Sequence, residues 1–134
     1  MQGLLLLARD DVGAVREAAY ESLGELGAVE ALGVLLEAFD DAHVGARQTA
    51  VLAVGRVAPE EGADAIADLL DDPRPEMRFS AIWTLSYLGT EQAARIEQAL
   101  VDDDAEVRIL AMQCLAELGA TGSAAAIARS LDDS

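Results

Sequence analysis

Acidic and basic side chains recur in this sequence at a spacing that invites a chemical reading. Aspartate pairs stand at Asp10–Asp11, Asp40–Asp41, Asp71–Asp72, Asp102–Asp103 and Asp132–Asp133, and Arg16, Arg47, Arg78 and Arg108 follow the first four. Carboxylates beside a guanidinium suggest catalysis, and paired carboxylates suggest weak calcium binding. Periodic recurrence argues for a structural role instead. Five copies in helix-capping positions make capping the default role of the pairs. An aspartate that ends the turn can also accept guanidinium hydrogen bonds. Asp11, Asp41, Asp72 and Asp103 are therefore expected to join Arg16, Arg47, Arg78 and Arg108 in a ladder that braces successive repeats.

Other reactive groups are few. His43 is the only histidine and falls in a turn, where a solvated loop residue is expected rather than a general base or metal ligand. Cys114 is the only cysteine, so no intrachain disulfide can form and a reducing compartment is the natural expectation, although a surface thiol would still allow an intermolecular bridge. No glycine-rich phosphate loop is present, and no serine or cysteine has a neighbouring base. The sequence therefore predicts no catalytic residue, no metal site and no cofactor.

The elements that carry these residues follow from a repeat. Aligning on the four arginines gives spacings of 31, 31 and 30 residues. Three positions on lie Ala19, Ala50, Ala81 and Ala111; seven positions on lie Leu23, Val54, Leu85 and Leu115; eleven positions on lie Gly27, Ala58, Gly89 and Gly119. Each repeat reads as helix A, an Asp-rich turn, helix B and a short Gly or Ala loop. The B helices are predicted at 13–26, 44–57, 75–88 and 105–118, and the A helices at 3–9, 29–39, 62–70, 91–101 and 122–131. In the third repeat Asp72 is placed to cap helix B, Pro73 to occupy its first position and Gly89 to end it in a left-handed turn. Ile96 and Leu100 are expected to carry the apolar face of the fourth A helix, because Glu97 falls where an apolar residue belongs.

Composition agrees with an all-α fold. Of 134 residues 52% are hydrophobic, yet 27 are alanine and five aromatic, which favours closely packed helices over a bulky sheet core. One helix pair cannot bury its apolar face, so neighbouring pairs must stack into an α-solenoid. The expectation is a single domain over 1–134, with repeats near 1–27, 28–58, 59–89 and 90–119 and a half-unit at 120–134. The half-units leave Leu4 to Leu7, and Ile127 with Leu131, as flanks open to end-to-end self-association.

The net charge of −16, with nine arginines and no lysine, argues against nucleic acid or an anionic membrane as partner. The acid excess reads as a self-repelling, solubilising surface, or more sharply as halophilic adaptation, although a GC-rich genome also replaces lysine by arginine. At molar salt the Debye length is about 3 Å, so recognition would then rest on shape and apolar contact. Leu4 to Leu7 is too short to span a membrane and lacks the basic flank of a secretory signal; a cytoplasmic location is expected.

Asp72–Pro73, Met77–Arg78, Ala81, Leu85 and Leu88–Gly89, repeated as Asp103, Val107–Arg108, Ala111, Leu115 and Leu118–Gly119, resemble HEAT-like repeats. The likeness is to the short variety of about 30 residues found in phycobilin lyase subunits. It covers essentially the whole chain. It departs at Ala58–Pro59, which replaces the Gly ending, and in an Asp-to-Arg loop that varies by one residue. The resemblance implies an α-solenoid whose B helices line the concave side. The HEAT-repeat hydroxylase that modifies deoxyhypusine needs repeated His–Glu pairs to hold iron, and this chain has none; HEAT-like DNA glycosylases need a basic groove, which the charge balance denies.

Against that background Phe79, Trp83 and Tyr87, spaced i, i+4, i+8, share one face of the third B helix, turned away from Ala81, Ile82, Leu85 and Leu88. Leu52 and Arg56 (with Gln48) and Ile109 and Gln113 (with Glu117) hold the matching positions of the adjacent repeats, and Glu17, Glu21 and Glu25 those of the first. The face predicts a protein- or peptide-binding groove, acidic at its start and apolar further on, suited to an amphipathic helix bearing Arg or Lys. For Phe79 and Trp83 the competing reading is that they only cover the junction between B helices. The expected function is a non-enzymatic protein-interaction or scaffold module. The alternative is a lyase-like or chaperone-like subunit for a chromophore or cofactor, as the resemblance allows.

Overall fold

In the computed structural model, residues 1–119 and Leu131 are described. The predicted A helix at 122–131, with Ala124 and Ile127, and the Asp132–Asp133 pair lie outside them, except for Leu131, which is helical and exposed. The described residues form eight α-helices and no strand: α1 Gln2–Leu7, α2 Gly13–Leu26, α3 Leu32–Glu37, α4 Val44–Val57, α5 Pro59–Asp68, α6 Pro75–Leu88, α7 Ala93–Glu97 and α8 Ala105–Leu118. The four B helices match the sequence expectation to the residue. The A helices are short α segments extended by 3-10 turns at 29–31, 38–40, 69–71, 90–92 and 98–101. The third A helix starts at Pro59, three residues early, because proline is pre-organised for a first helical position and Glu60 and Glu61 complement the helix N-terminus.

The start of α6 corrects one expectation. Arg74, not Asp72, is the N-cap, and Pro75, not Pro73, opens the helix. Each proline disfavours helical backbone in the residue before it. Asp72 (φ −66°, ψ 138°) and Arg74 (φ −87°, ψ 115°) are both extended for that reason, so the helix begins only at the second proline. At the other end Gly27 and Gly119 adopt the left-handed conformation with φ 64°. The Gly27 N–H bonds the Gly24 carbonyl and the Ala28 N–H that of Leu23, closing α2 with two otherwise orphaned acceptors satisfied. Gly89 instead has φ 124° and ψ −176°, a region essentially confined to glycine, and leads straight into the 90–92 turn.

The chain falls into two compact units, Met1–Ile66 and Ala67–Ser134, and the division lies inside α5 rather than between repeats. In the first unit α1 packs on α2, α2 along α4, and α3 on α4. In the second α6 packs on α8, and α7 against both. Each is an A/B helix stack of the α-solenoid class. The repeated alanines (19, 50, 81, 111) and the large residues Leu23, Val54, Leu85 and Leu115 are all at most 2% exposed. Ile96 and Leu100 are buried, as the pattern of the fourth A helix requires.

Small residues set how closely the helices approach. A Cβ placed on Gly24 would stand 2.9 Å from the Ala53 Cβ and 3.0 Å from its Cα, so α2 and α4 touch nearly backbone to backbone. Gly24→Val should therefore destabilise the protein by about 1–3 kcal/mol through overpacking. At the matching position of α8, exposed Ala116→Val should cost far less. Urea denaturation of the two variants checks the contrast; equal midpoints would refute it.

Candidate partner-binding face

The four turns before the B helices are built alike. Asp10, Asp41, Asp72 and Asp102 each accept the backbone N–H two residues on, from Val12, His43, Arg74 and Asp104, at 2.8–2.9 Å. Their backbone carbonyls accept Nη1 of Arg16, Arg47, Arg78 and Arg108 at 2.7–2.8 Å. Each arginine thus clamps its own turn from six residues away. Among the four B helices a side chain caps only α8, where Asp104 accepts from the N–H groups of Glu106 and Val107. The aspartates hold the turns rather than the helix ends.

Each compact unit contains one Arg–Asp bridge between successive repeats. Arg16 donates Nε and Nη2 to the carboxylate of Asp41 at 2.8 and 2.7 Å, and Arg78 donates the same pair to Asp102 at 2.9 and 3.1 Å. The members at the first and fourth turns are corrected by one residue. Asp10 and Asp102 hold the register position, while Asp11 and Asp103 are exposed, because the turn closes on the aspartate six residues before the arginine. Arg47 and Arg108 clamp Asp41 and Asp102 through the carbonyl. Asp72 bonds Arg74 through both carboxylate oxygens.

Asp41 is the most heavily bonded of these groups. It accepts two hydrogen bonds from Arg16, one from the Tyr20 hydroxyl at 2.9 Å and one from His43 N–H. The Arg16 bonds hold its carboxyl well below the usual carboxylate range, outweighing burial, and Asp41 in turn raises Arg16. Burial, then the hydrogen bond to Asp41, pushes Tyr20 up to about 12. His43 is not simply solvated: it holds the N-cap position of α4 without a side-chain cap bond, lies half-buried over Gly13 and places Nε2 3.2 Å from Glu17 Oε1. Cys114 is buried, which raises its thiol and removes the expected surface bridge; the Ser86 hydroxyl partly offsets that shift.

A shallow depression of about 360 Å³ lies between the third and fourth turns, bordered by Asp71, Asp103 and Val101. Arg78 and Asp102 line it, with their charges directed at each other. Its polar groups are organised for the internal bridge.

The aromatic stripe behaves differently. On α6 Trp83 and Tyr87 are 54% and 60% exposed, whereas Met77, Ala81, Ile82 and Leu85 are buried. Phe79 is half-buried. Of the three, Phe79 is thus the one partly covered, and Trp83 and Tyr87 stand open. On the packed neighbour α8 the equivalent positions present Ile109, 48% exposed, with exposed Gln113 and Glu117. In the first unit Glu21 and Glu25 are exposed on α2, Leu52 is half-buried and Arg56 exposed on α4. Sequence reasoning missed Tyr20 as part of the bridge, since an aromatic following the repeated alanine reads as core alone.

These helix pairs, their Asp–Arg turns and their stacking define the chain as an α-solenoid. A model of HEAT repeats matches residues 34–96, and one of the PBS lyase HEAT-like repeat matches residues 15–41. The chain is thus a HEAT-like repeat protein, with repeats of the PBS lyase type. Comparison with curated proteins gives no match. Among solved structures it is similar to two engineered proteins determined by the Northeast Structural Genomics Consortium. One shares 16% identity over 96% of this chain and 67% of its own length, with a TM-score of 0.59. The other shares 18% over 96% of this chain, with a TM-score of 0.56, and this chain spans 40% of its length. At such identities the likeness is one of fold. Among the described residues no helix is long and apolar enough to cross a membrane.

The Asp41 cluster gives a signed pH dependence. A carboxyl depressed in the folded state stabilises above its unfolded pKa of about 3.9 and loses that contribution as pH falls through the folded value. A phenol raised to about 12 contributes below its unfolded value near 10 and loses its contribution as pH rises towards the folded one. Asp41→Asn should thus be less stable at pH 7, by about 3 kcal/mol, with the deficit shrinking below pH 4. Tyr20→Phe should remove the alkaline loss. Urea titrations across pH check both; a deficit for Asp41→Asn that does not shrink in acid would refute the assignment.

Proposed function

We propose that the protein is a non-enzymatic interaction module that binds a protein or peptide segment on the outward face of its B helices. The observation that carries this reading is the exposure of Trp83 and Tyr87 on a rigid helix, beside Ile109 on its packed neighbour. Large aromatics are favoured anchors in protein interfaces because they bury much area with little rotamer entropy, and contiguous exposed apolar surface commonly marks a binding site. The HEAT repeats support the same reading, since such repeats commonly act as protein-interaction scaffolds, with this face as the inner one. The aspartates and arginines, the obvious reactive groups, are engaged in holding the turns. The charge of −16 disfavours nucleic acid and anionic membranes as partners.

The test is a pull-down from source-cell extract at its native salt, with the unaltered chain and a Trp83→Ala, Tyr87→Ala double variant whose helicity is checked by circular dichroism. A protein retained by the first and lost by the second is the expected result. Equal retention would refute the aromatic face as the binding site. Arg78→Ala serves as the converse control: its melting temperature should fall while retention of the same protein on folded material persists.

A further inference from the structure

We infer that the face formed by α6 and α8 takes a cationic amphipathic segment, with aliphatic side chains seated on Trp83, Tyr87 and Ile109 and Lys or Arg heads over Glu106 and Glu117. The inference rests on the interaction reading above and specifies the chemistry of the partner. Glu106 and Glu117 are exposed and lie on the same side of α8 as Ile109 and Gln113, three residues before the first and four after the second. Carboxylates therefore border the apolar surface within this unit. No described arginine of the unit opposes them: Arg78 and Arg108 reach the Asp102 turn, Arg74 bonds Asp72 and Arg95 bonds Gln92. The chain contains no lysine. An acidic or neutral segment would leave these carboxylates unpaired or repelled, whereas a cationic one meets opposite charge at the rim and an indole face at the centre, where cation–π attraction adds to apolar contact.

The partner must also be amphipathic. Trp83 and Tyr87 lie one helical turn apart, so a docking helix with Leu or Ile at i, i+3, i+4 and i+7 presents a stripe of matching pitch. Its basic residues then flank the stripe. Contact ion pairs of this kind persist at high ionic strength better than long-range attraction does, and the apolar stripe persists with them.

The test uses the full chain and labelled synthetic helices read by fluorescence anisotropy: a Leu/Lys peptide with Leu at that spacing, its Leu/Glu counterpart, and a scrambled Leu/Lys peptide of the same charge. The Leu/Lys helix should bind and lose about tenfold in affinity in Trp83→Ala, Tyr87→Ala. It should lose about three- to fivefold in Glu106→Gln, Glu117→Gln, but not in Glu60→Gln, Glu61→Gln, which removes the same charge from α5. Equal binding of the Leu/Glu helix, still dependent on the aromatic pair, would overturn the cationic inference and leave the interaction face standing. Equal binding of the scrambled peptide, or no binding of the Leu/Lys helix, would overturn the inference. Binding indifferent to Trp83 and Tyr87 would overturn both the inference and the face.

Discussion

The fold depends on one constraint: a guanidinium that must satisfy two turns at once. Arg16 and Arg78 each give Nη1 to the carbonyl of the turn that begins their own helix, and Nε with Nη2 to the carboxylate of the turn that follows. A planar fork with fixed donor directions suits both tasks; a lysine ammonium would lack that geometry. The bridge fixes how far one repeat lies from the next, and that distance is short because glycine and alanine line the helix contact. Gly24 against Ala53 is the closest case. Ionic register and small-residue packing are therefore one arrangement, since a wider helix spacing would pull the fork off its carboxylate.

That division of labour clarifies the surface. Charged groups that look reactive in sequence are largely turned inwards to the turns, and Asp41, with four hydrogen bonds to its carboxylate, is the extreme example. What remains on the outward face of α6 and α8 is aromatic, aliphatic and acidic. Such a face can be altered residue by residue without disturbing the Asp–Arg turns. This separation is one reason a helical repeat can be reused for many binding tasks.

Much of the architecture was legible in the sequence because the repeat sampled the same physics four times. Arginine, alanine and leucine at constant offsets placed every B helix, and Ile96 and Leu100 were found despite Glu97. Finer features depended on single residues. Two prolines two positions apart moved the start of α6 from Pro73 to Pro75, a steric effect on the preceding residues that a capping rule does not weigh. The choice between adjacent aspartates turned on which one closes a turn six residues before the arginine, and the exposed Asp11 and Asp103 show that pairing in sequence did not mean sharing a task. On the aromatic face, helical spacing put Phe79 with Trp83 and Tyr87, yet Phe79 is half-buried where the other two are exposed, a difference that spacing alone does not carry.

The bridge also has a direction. In each bridge the donor comes from one repeat and the acceptor from the next, Arg16 to Asp41 and Arg78 to Asp102, so the two partners come from different copies of the same module. A gene for such a chain can gain or lose whole copies by unequal recombination, and a junction that keeps this order of donor and acceptor still matches an arginine with an aspartate. Loss of half a copy would leave mismatched ends. The electrostatics of one turn thereby sets the length quantum in which the protein can grow.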